Sequence, residues 1–533
     1  MSDLQQRRDF IKTIAGASIG LGLGLHACTP SRQLISGSML GAEAAIGHKI
    51  RDGFQFPKPS RTESFDTVII GGGVSGLSAA RALNKTGKDN FILLELGETA
   101  GGNARGGSKN GISFPWGAHY LPVPGKEQPE LCALLEEFDV IYDKNEKGEP
   151  YFEERYLCHA PQERLLIQGR WQAGLLPRNG VPKKDMLEIE AFKDWVQELK
   201  YAVGSDGLPA FAIPLNRSSK DQRFRQWDQI NLAGLIAKKG WSSPFLLWYL
   251  NYSCRDDFGG TIQQTSAWAG MHYFCSRRGG GANADSGDVL TWPEGNSWLT
   301  NRMAQQLGKQ LRCNALVHKI NNTEAGVELE YFDTKTHQTV SIKAQKAIFA
   351  GPQHVAARLI PDRKASLSLP VVPWVTANIF VKKPPTGLGA ALSWDNVSYE
   401  SESLGYVHAN HQALDAFPGK ERMLTWYHVL SEDDLLAARR RAAETSYSDW
   451  QHFVLKDLTS MHPKIQDDIQ SLDLWIWGHG MTRPEPGFLT SEARLKAAEP
   501  VGNIHFAHTD LSGISIFEEA FYQGLRVAEE VGH

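Results

Sequence analysis

The sequence predicts an α/β fold in which a dinucleotide-binding domain is assembled from separated stretches around a second, α+β domain. Three observations predict it. The β-branched run Phe65 to Ile70 stops at Gly71-Gly72-Gly73-Val74-Ser75-Gly76, and Leu77 to Asn84 then carries apolar residues at helical spacing. A second apolar run, Phe91 to Leu94, ends at Glu95, which falls about 20 residues beyond the glycines. The chain has 533 residues, well past the roughly 250–300 at which a single core stops growing.

Each element has a physical reason. Strand, GxGxxG and helix in that order make a Rossmann-type βαβ unit. Gly71 permits the tight turn, Gly73 lets the backbone approach a pyrophosphate, and Gly76 lets helix and strand pack closely. Val74 and Ser75 open the helix, whose free N–H groups and partial positive charge suit phosphate. Glu95 is placed to accept hydrogen bonds from ribose hydroxyls. An acid there disfavours a 2′-phosphate, which leaves FAD or NAD in preference to NADP.

Composition excludes several classes. Hydrophobic residues make up 41% and charged residues 22%, ordinary for a globular protein. A formal charge of −4 gives no nucleic-acid footprint. Six cysteines, at 28, 132, 158, 254, 275 and 313, lack metal-binding spacing and form no disulfide framework, so no metal site is expected.

Residues 1–28 read as an address. Arg7-Arg8-Asp9-Phe10-Ile11-Lys12 precedes a weakly apolar run, Thr13 to Ala27, too short to span a bilayer. The pattern resembles a twin-arginine export signal, and Leu25-His26-Ala27-Cys28 resembles a lipobox. Cys28 becomes a lipidated first residue on one reading, and lies just past a conventional cleavage site on the other. The expected location is therefore periplasmic, either free or as a lipid-anchored lipoprotein. Residues 29–64 carry scattered Gly, Pro and polar residues without a period and are expected to form a tether.

Further segments break the tie between FAD and NAD. Gly101-Gly102-Asn103-Ala104-Arg105 follows the acid, and Phe114-Pro115-Trp116-Gly117-Ala118-His119-Tyr120 follows that. Thr291 to Asn296, Ala315 to Ile320, Ala347 to Pro352, and Asn503 to Asp510 with Glu518 to Ala528 come later. In this order they resemble the flavin-containing amine oxidase superfamily, which includes phytoene-desaturase-like and protoporphyrinogen-oxidase-like enzymes. The resemblance implies a glutathione-reductase-like FAD-binding domain and a non-covalent FAD. By that likeness Gly102 and Arg105 wrap the pyrophosphate, Gly117, Ala118 and His119 lie beside the isoalloxazine, Val317 bonds the adenine through its backbone, and Asp510 meets the ribityl chain or pyrophosphate. His119 is either a flavin neighbour or a satisfied core histidine. Arg105 stands two residues beyond the family's usual position. His508 and Glu519 replace glycines. The implied FAD domain comprises 65–124, 289–361 and 481–533, and the substrate domain 125–288 and 362–480.

On the substrate side, six of the 15 tryptophans fall between Trp227 and Trp298, as core packing or as pocket walls. The Gly-rich run Arg277 to Asp288 is a lid or a surface loop. Monoamine-oxidase-like members use a lysine, two facing rings and a flavin-bonding cysteine. Their positions here hold Thr376, Gly480 with Ile516, and His479. His479, His119 and Arg483 are then the candidate catalytic groups, the histidines for orientation or proton transfer and Arg483 as an anchor. The expected function is an exported FAD-dependent oxidoreductase that oxidises an amine or polyamine by hydride transfer to flavin N5. The acceptor is oxygen, a quinone or a cytochrome. A desaturase or isomerase of a lipophilic polyene is the second reading, and a flavoprotein that only carries electrons or binds a partner is the third.

Overall fold

Two sheets organise the molecule, which is known here as a computed structural model describing residues 35–363, 369–413 and 421–532. The leader positions Arg7, Arg8 and Cys28 lie outside the described residues. In the first sheet, five strands run parallel in the order Leu311–Arg312, Phe91–Leu94, Pro59–Ile70, Gln338–Phe349 and Ile504–Phe506. Gly326–Asp333 and Ala315–Thr323 extend it as an antiparallel meander. The ends of the parallel strands are buried on both faces, which explains their unbroken Val, Ile and Leu runs. Ile69, Leu93 and Ile348 pack on one side beneath the helices Val74–Lys85 and Phe517–Gly532, with Leu77, Phe521 and Val527. Val68, Ile92 and Phe349 pack on the other, with Ala356 and Leu359. Each such fully buried side chain contributes roughly 1.5–3 kcal/mol.

The second sheet has eight strands, in the order Met39–Gly41, Ile469–Thr482, Val371–Val381, Arg422–Val429, Tyr406–His408, Asp395–Ser398, Glu163–Ile167 and Arg170–Ala173. Val371–Val381 is buried along its whole length. The helices Lys183–Lys200, Pro244–Phe258 and Ala267–Cys275 build a core of their own, and Pro244–Phe258 reaches the sheet through Tyr252. Ser243 and Ser266 start the last two by accepting the N–H groups of Leu246 and Ala269. A short ladder between Tyr120–Pro122 and Val289–Thr291 lies where the chain passes from one layer to the other.

One expectation is corrected. The stretch 29–64, read as a tether, is structured from residue 38 on. Met39–Gly41 adds a parallel edge strand to Ile469–Thr482, Ala44–Arg51 is a helix, and the first Rossmann strand begins at Pro59. Its scattered glycines and polar residues hid this because an edge strand of three residues carries no readable period. From Ser36 onward the chain forms one compact unit, so the two layers share a single body.

Candidate functional site

The dinucleotide cradle forms where the first parallel strand meets its helix. Gly71 N–H donates to the Leu94 carbonyl at 2.8 Å, and Gly72 N–H to Glu95 Oε2 at 2.7 Å. Gly73 is the helix N-cap and supplies no side-chain cap. The N–H groups of Val74, Ser75 and Gly76 therefore open onto whatever lies at this buried N-terminus, a donor set suited to a pyrophosphate. Close approach requires glycine at two places. A Cβ on Gly76 would lie 1.9 Å from the Gly71 carbonyl oxygen, and one on Gly524, in the last helix, 2.3 Å from that of Ser75. These features fit a bound dinucleotide.

Glu95 is buried and accepts N–H groups from Gly72 and Gly97, both at 2.7 Å. Burial pushes its carboxyl above the usual range, against the pull of those two donors and of Arg105. Gly102 opens a short 3₁₀ turn ending at Ala104. Arg105 is placed otherwise than the resemblance implied. Its guanidinium is paired with Glu43 at 2.7 Å and lies 3.9 Å from Glu95, so its charge is taken up by protein carboxylates. Val317 is buried beside a β-bulge that sets His318 out of the ladder. Asp510 is buried, and its oxygens accept from Thr482 Oγ1 and Gln353 N–H, both at 2.8 Å, with His508 at 3.2 Å. Burial opposes its charge, but His508 and the two donors prevail and hold its carboxyl well below the usual range.

Gly117 and Ala118 are fixed from three sides. Asn103 accepts the Ala118 N–H at 3.0 Å through its carbonyl and donates its side-chain N–H to the Gly480 carbonyl at 2.6 Å. Tyr427 donates its hydroxyl to the Gly117 carbonyl at 3.2 Å, and the Ala118 carbonyl accepts the Asn296 N–H at 3.0 Å. Next in the chain, His119 meets the rings of Tyr427, Tyr120 and Trp394 at 4.9, 5.2 and 5.3 Å. Burial pushes its imidazole down to about 4, so it is neutral at neutral pH and forms a wall of the site.

Beyond His119 opens a cavity of about 250 Å³. Its aromatic lining is Tyr120, Tyr252, Tyr273, Phe274, Trp394 and Tyr427. None of the six tryptophans between 227 and 298 contributes. They pack elsewhere, as in the Trp292–Trp298 stack at 4.9 Å. Into the same space face Glu163 and Asp395, register partners on adjacent parallel strands, and Asp256 from the Pro244–Phe258 helix. Among the described residues none of these three carboxylates has an ion pair. Partial burial and repulsion from Glu163 and Asp256 drive Asp395 well above the usual carboxylate range, and partial burial and repulsion from Asp257 drive Asp256 up to about 7, whereas Glu163 is itself exposed. Arg277, from the Gly-rich run, also lines the cavity, but is paired with Asp257 at 2.7 Å. Lys200 donates to Ser286 Oγ at 2.9 Å. A larger open hollow of about 570 Å³, lined by Glu137, Arg155 and Arg302 among others, shares no residue with the glycine loops.

Two candidate catalytic residues are not brought to this cavity. His479 stacks on His354 at 4.1 Å. Arg483 follows the end of its strand, buried, with its charge held by Glu485 at 2.6 Å. Ile516 is half-buried against the helical core. Glu163, Asp256 and Asp395 escaped sequence reading because they come from three distant elements without a shared motif. Asn103 could have been found, standing where the family's arginine follows the glycine pair.

Comparison with known proteins bears on this geometry. The family described as flavin containing amine oxidoreductase matches residues 74–532. Oxidoreductase PigB of a Serratia species is 21% identical, over 90% of this chain and 78% of its own length. L-amino acid dehydrogenase of a Synechocystis species is 22% identical, over 85% and 91%. The solved structure of putrescine oxidase bound to putrescine superposes with a TM-score of 0.61 at 18% identity, over 88% of this chain and 99% of that one.

Proposed function

The chain belongs to the flavin-containing amine oxidoreductase family, and from that premise we propose that it is an exported enzyme oxidising a small amine with two or more positive charges. Its cofactor is FAD, which when bound supplies the two-electron acceptor for a hydride. The observation that carries the substrate reading is the trio Glu163, Asp256 and Asp395, which line one cavity and among the described residues have no ion pair. Three carboxylates crowded round one cavity, two of them half-buried, repel one another and gain when a cation meets them. Cations over the faces of Tyr and Trp rings gain further attraction. An ammonium remote from the reacting carbon would sit between Glu163 and Asp395. The reacting nitrogen must shed its proton before a hydride can leave the carbon beside it, and Asp256, poised near neutral, is placed to take that proton. A hydrocarbon polyene would leave all three carboxylates without a partner, which disfavours the lipid reading.

Lys200 and Arg277 support a second reading. Lys200 has no carboxylate partner among the described residues, so a substrate bearing both an amine and a carboxylate would be met at each end. Anaerobic mixing of the purified enzyme with putrescine, spermidine, a monoamine and neutral L-amino acids tests both. Rapid loss of oxidised-flavin absorbance with the diamines supports the first reading, and with amino acids the second. Bleaching by neither class overturns both.

A further inference from the structure

The structure assigns a cofactor-retaining role to the segment 36–56: it is a clasp over the adenosine half of FAD, with Glu43 as the positioning residue that locks Arg105 against the ribose acid Glu95. Nothing in the family match, which begins at residue 74, covers this segment.

The clasp is anchored at both ends. At its start, Ser38 donates its N–H and its hydroxyl to Asp473 Oδ1 at 2.9 and 2.8 Å. The Ser36 and Ser38 carbonyls accept the N–H groups of Leu472 and Leu474. At its end, the Phe56 ring lies on His318 at 3.9 Å and nearly parallel. His318 is the bulge residue beside Val317, whose backbone is the expected adenine contact. Between these anchors, Ile50 packs into the core beneath the first sheet.

Glu43 stands at the middle. Its φ of 46° is in the left-handed region, unfavourable for a glutamate, and its side chain does not cap the helix it precedes. The side chain instead reaches Arg105, giving a charge-assisted hydrogen bond of 2.7 Å. Arg105 is itself buried, lies 5.5 Å above the Trp475 ring and is 3.9 Å from Glu95. Gly97 marks the convergence. A Cβ there would lie 2.5 Å from Arg105, 3.1 Å from Glu95 and 3.3 Å from Glu43. Two acids thus share one buried cation, and Glu95, at the end of the Phe91–Leu94 strand, also accepts the Gly72 and Gly97 N–H groups. Without Glu43 the cation is free to draw Glu95 away from the ribose. Strained backbone persists where the surroundings enforce it, and here they enforce a contact beside a dinucleotide.

A fold-stabilising ion pair would weaken every flavin ligand alike, whereas a clasp over the adenosine half acts on FAD and spares FMN, which lacks that half. Apoprotein of wild type, Glu43→Gln and Glu43→Asp is titrated with FAD and with FMN, following flavin fluorescence. Glu43→Gln is expected to raise the FAD dissociation constant about 10- to 100-fold and to change that for FMN less than about 2-fold, with Glu43→Asp between. The Glu43→Gln/Arg105→Gln double variant is expected to be no worse than the poorer single, as for two partners of one contact. FAD binding unchanged in Glu43→Gln, or equal losses for FAD and FMN, overturns the assignment.

Discussion

Replacing Glu163 by Gln is expected to weaken diamine binding and to stabilise the protein, two effects of opposite sign from one charge. Glu163 and Asp395 are direct register partners on parallel strands, which lie about 4.8 Å apart. Two unit charges at about that separation repel by roughly 1–3 kcal/mol, toward the lower figure here because Glu163 is exposed and screened by solvent. Shared protonation already relieves much of this, so neutralising Glu163 returns about 1 kcal/mol to the substrate-free enzyme. With roughly 2.1 cal/mol/K of unfolding entropy per residue, that is about 1 °C in Tm for a chain of this length. A diamine loses one charge-assisted contact, about 1.5–3 kcal/mol, and its KM rises roughly 10- to 100-fold. Monoamine KM is expected to change less than about 3-fold, since the contact serves the remote ammonium. The assays are steady-state kinetics with putrescine against butylamine and a thermal melt of the holoenzyme without amine. Unchanged diamine KM, or a lowered Tm with both substrates equally impaired, refutes the reasoning.

Four further outcomes follow from named contacts. Asp256 titrates near 7, so diamine affinity is expected to improve as pH rises from about 6 to about 8. Substrate-free stability should fall over the rise through about 7, because a carboxyl with a raised folded pKa binds more protons folded than unfolded. Titrating KM and Tm together checks both signs. Gly524→Ala would set a methyl 2.3 Å from the Ser75 carbonyl oxygen and 2.6 Å from Ser78 Cβ, prising the last helix off the fingerprint helix. The purified protein should carry less FAD per chain and lose about 1–3 kcal/mol of stability. Arg483→Gln should lower Tm, through loss of its hold on Glu485 and the Glu432 carbonyl, while leaving diamine KM unchanged. Replacing Arg7 and Arg8 by Lys should retain the protein in the cytoplasm, read by cell fractionation. Unaltered distribution would remove the twin-arginine proposal.

Legibility divided along a physical line. The parallel strands, the glycine turn and Glu95 were readable because their constraints are local: a Cβ at position 76 cannot coexist with the carbonyl of residue 71, whatever the rest of the chain does. The segment Ala315 to Ile320 was readable only through its place in the family's order of motifs, and it lies in the hairpin of Ala315–Thr323 with Gly326–Asp333. His479 and Arg483 were inferred from register against a family, and a register says nothing about which neighbour satisfies a side chain. Here Glu485 holds the Arg483 charge, and His479 stacks on His354 without a hydrogen bond between the two rings. The carboxylates of the cavity had no local signal. Glu163, Asp256 and Asp395 read singly as solvated charges, and only the pairing of the strands bearing Glu163 and Asp395 turns them into a site.

The strand Ile469–Thr482 shows why the inferred boundary at residue 481 has no counterpart in the packing. Asp473 anchors the clasp through Ser38, and the Trp475 ring lies under Arg105. Trp477 donates its indole N–H to the Trp116 carbonyl, immediately before Gly117. The Gly480 carbonyl accepts from Asn103 in the glycine turn, and Thr482 donates to Asp510. One strand of the substrate-side sheet therefore touches, in order along its length, the adenosine clasp, the segment leading to the cavity, the glycine turn and the acid of the closing motif. Its alternation divides these tasks: Asp473, Trp475 and Trp477 share one face, while the backbone carbonyl at Gly480 needs no side chain and tolerates none, a Cβ there lying 2.8 Å from Trp374. A strand that the order of motifs assigns to the other domain thus holds the clasp, the glycine turn and Asp510 together, and Asp473→Ala is expected to weaken FAD retention from outside the fingerprint, read as FAD bound per purified chain.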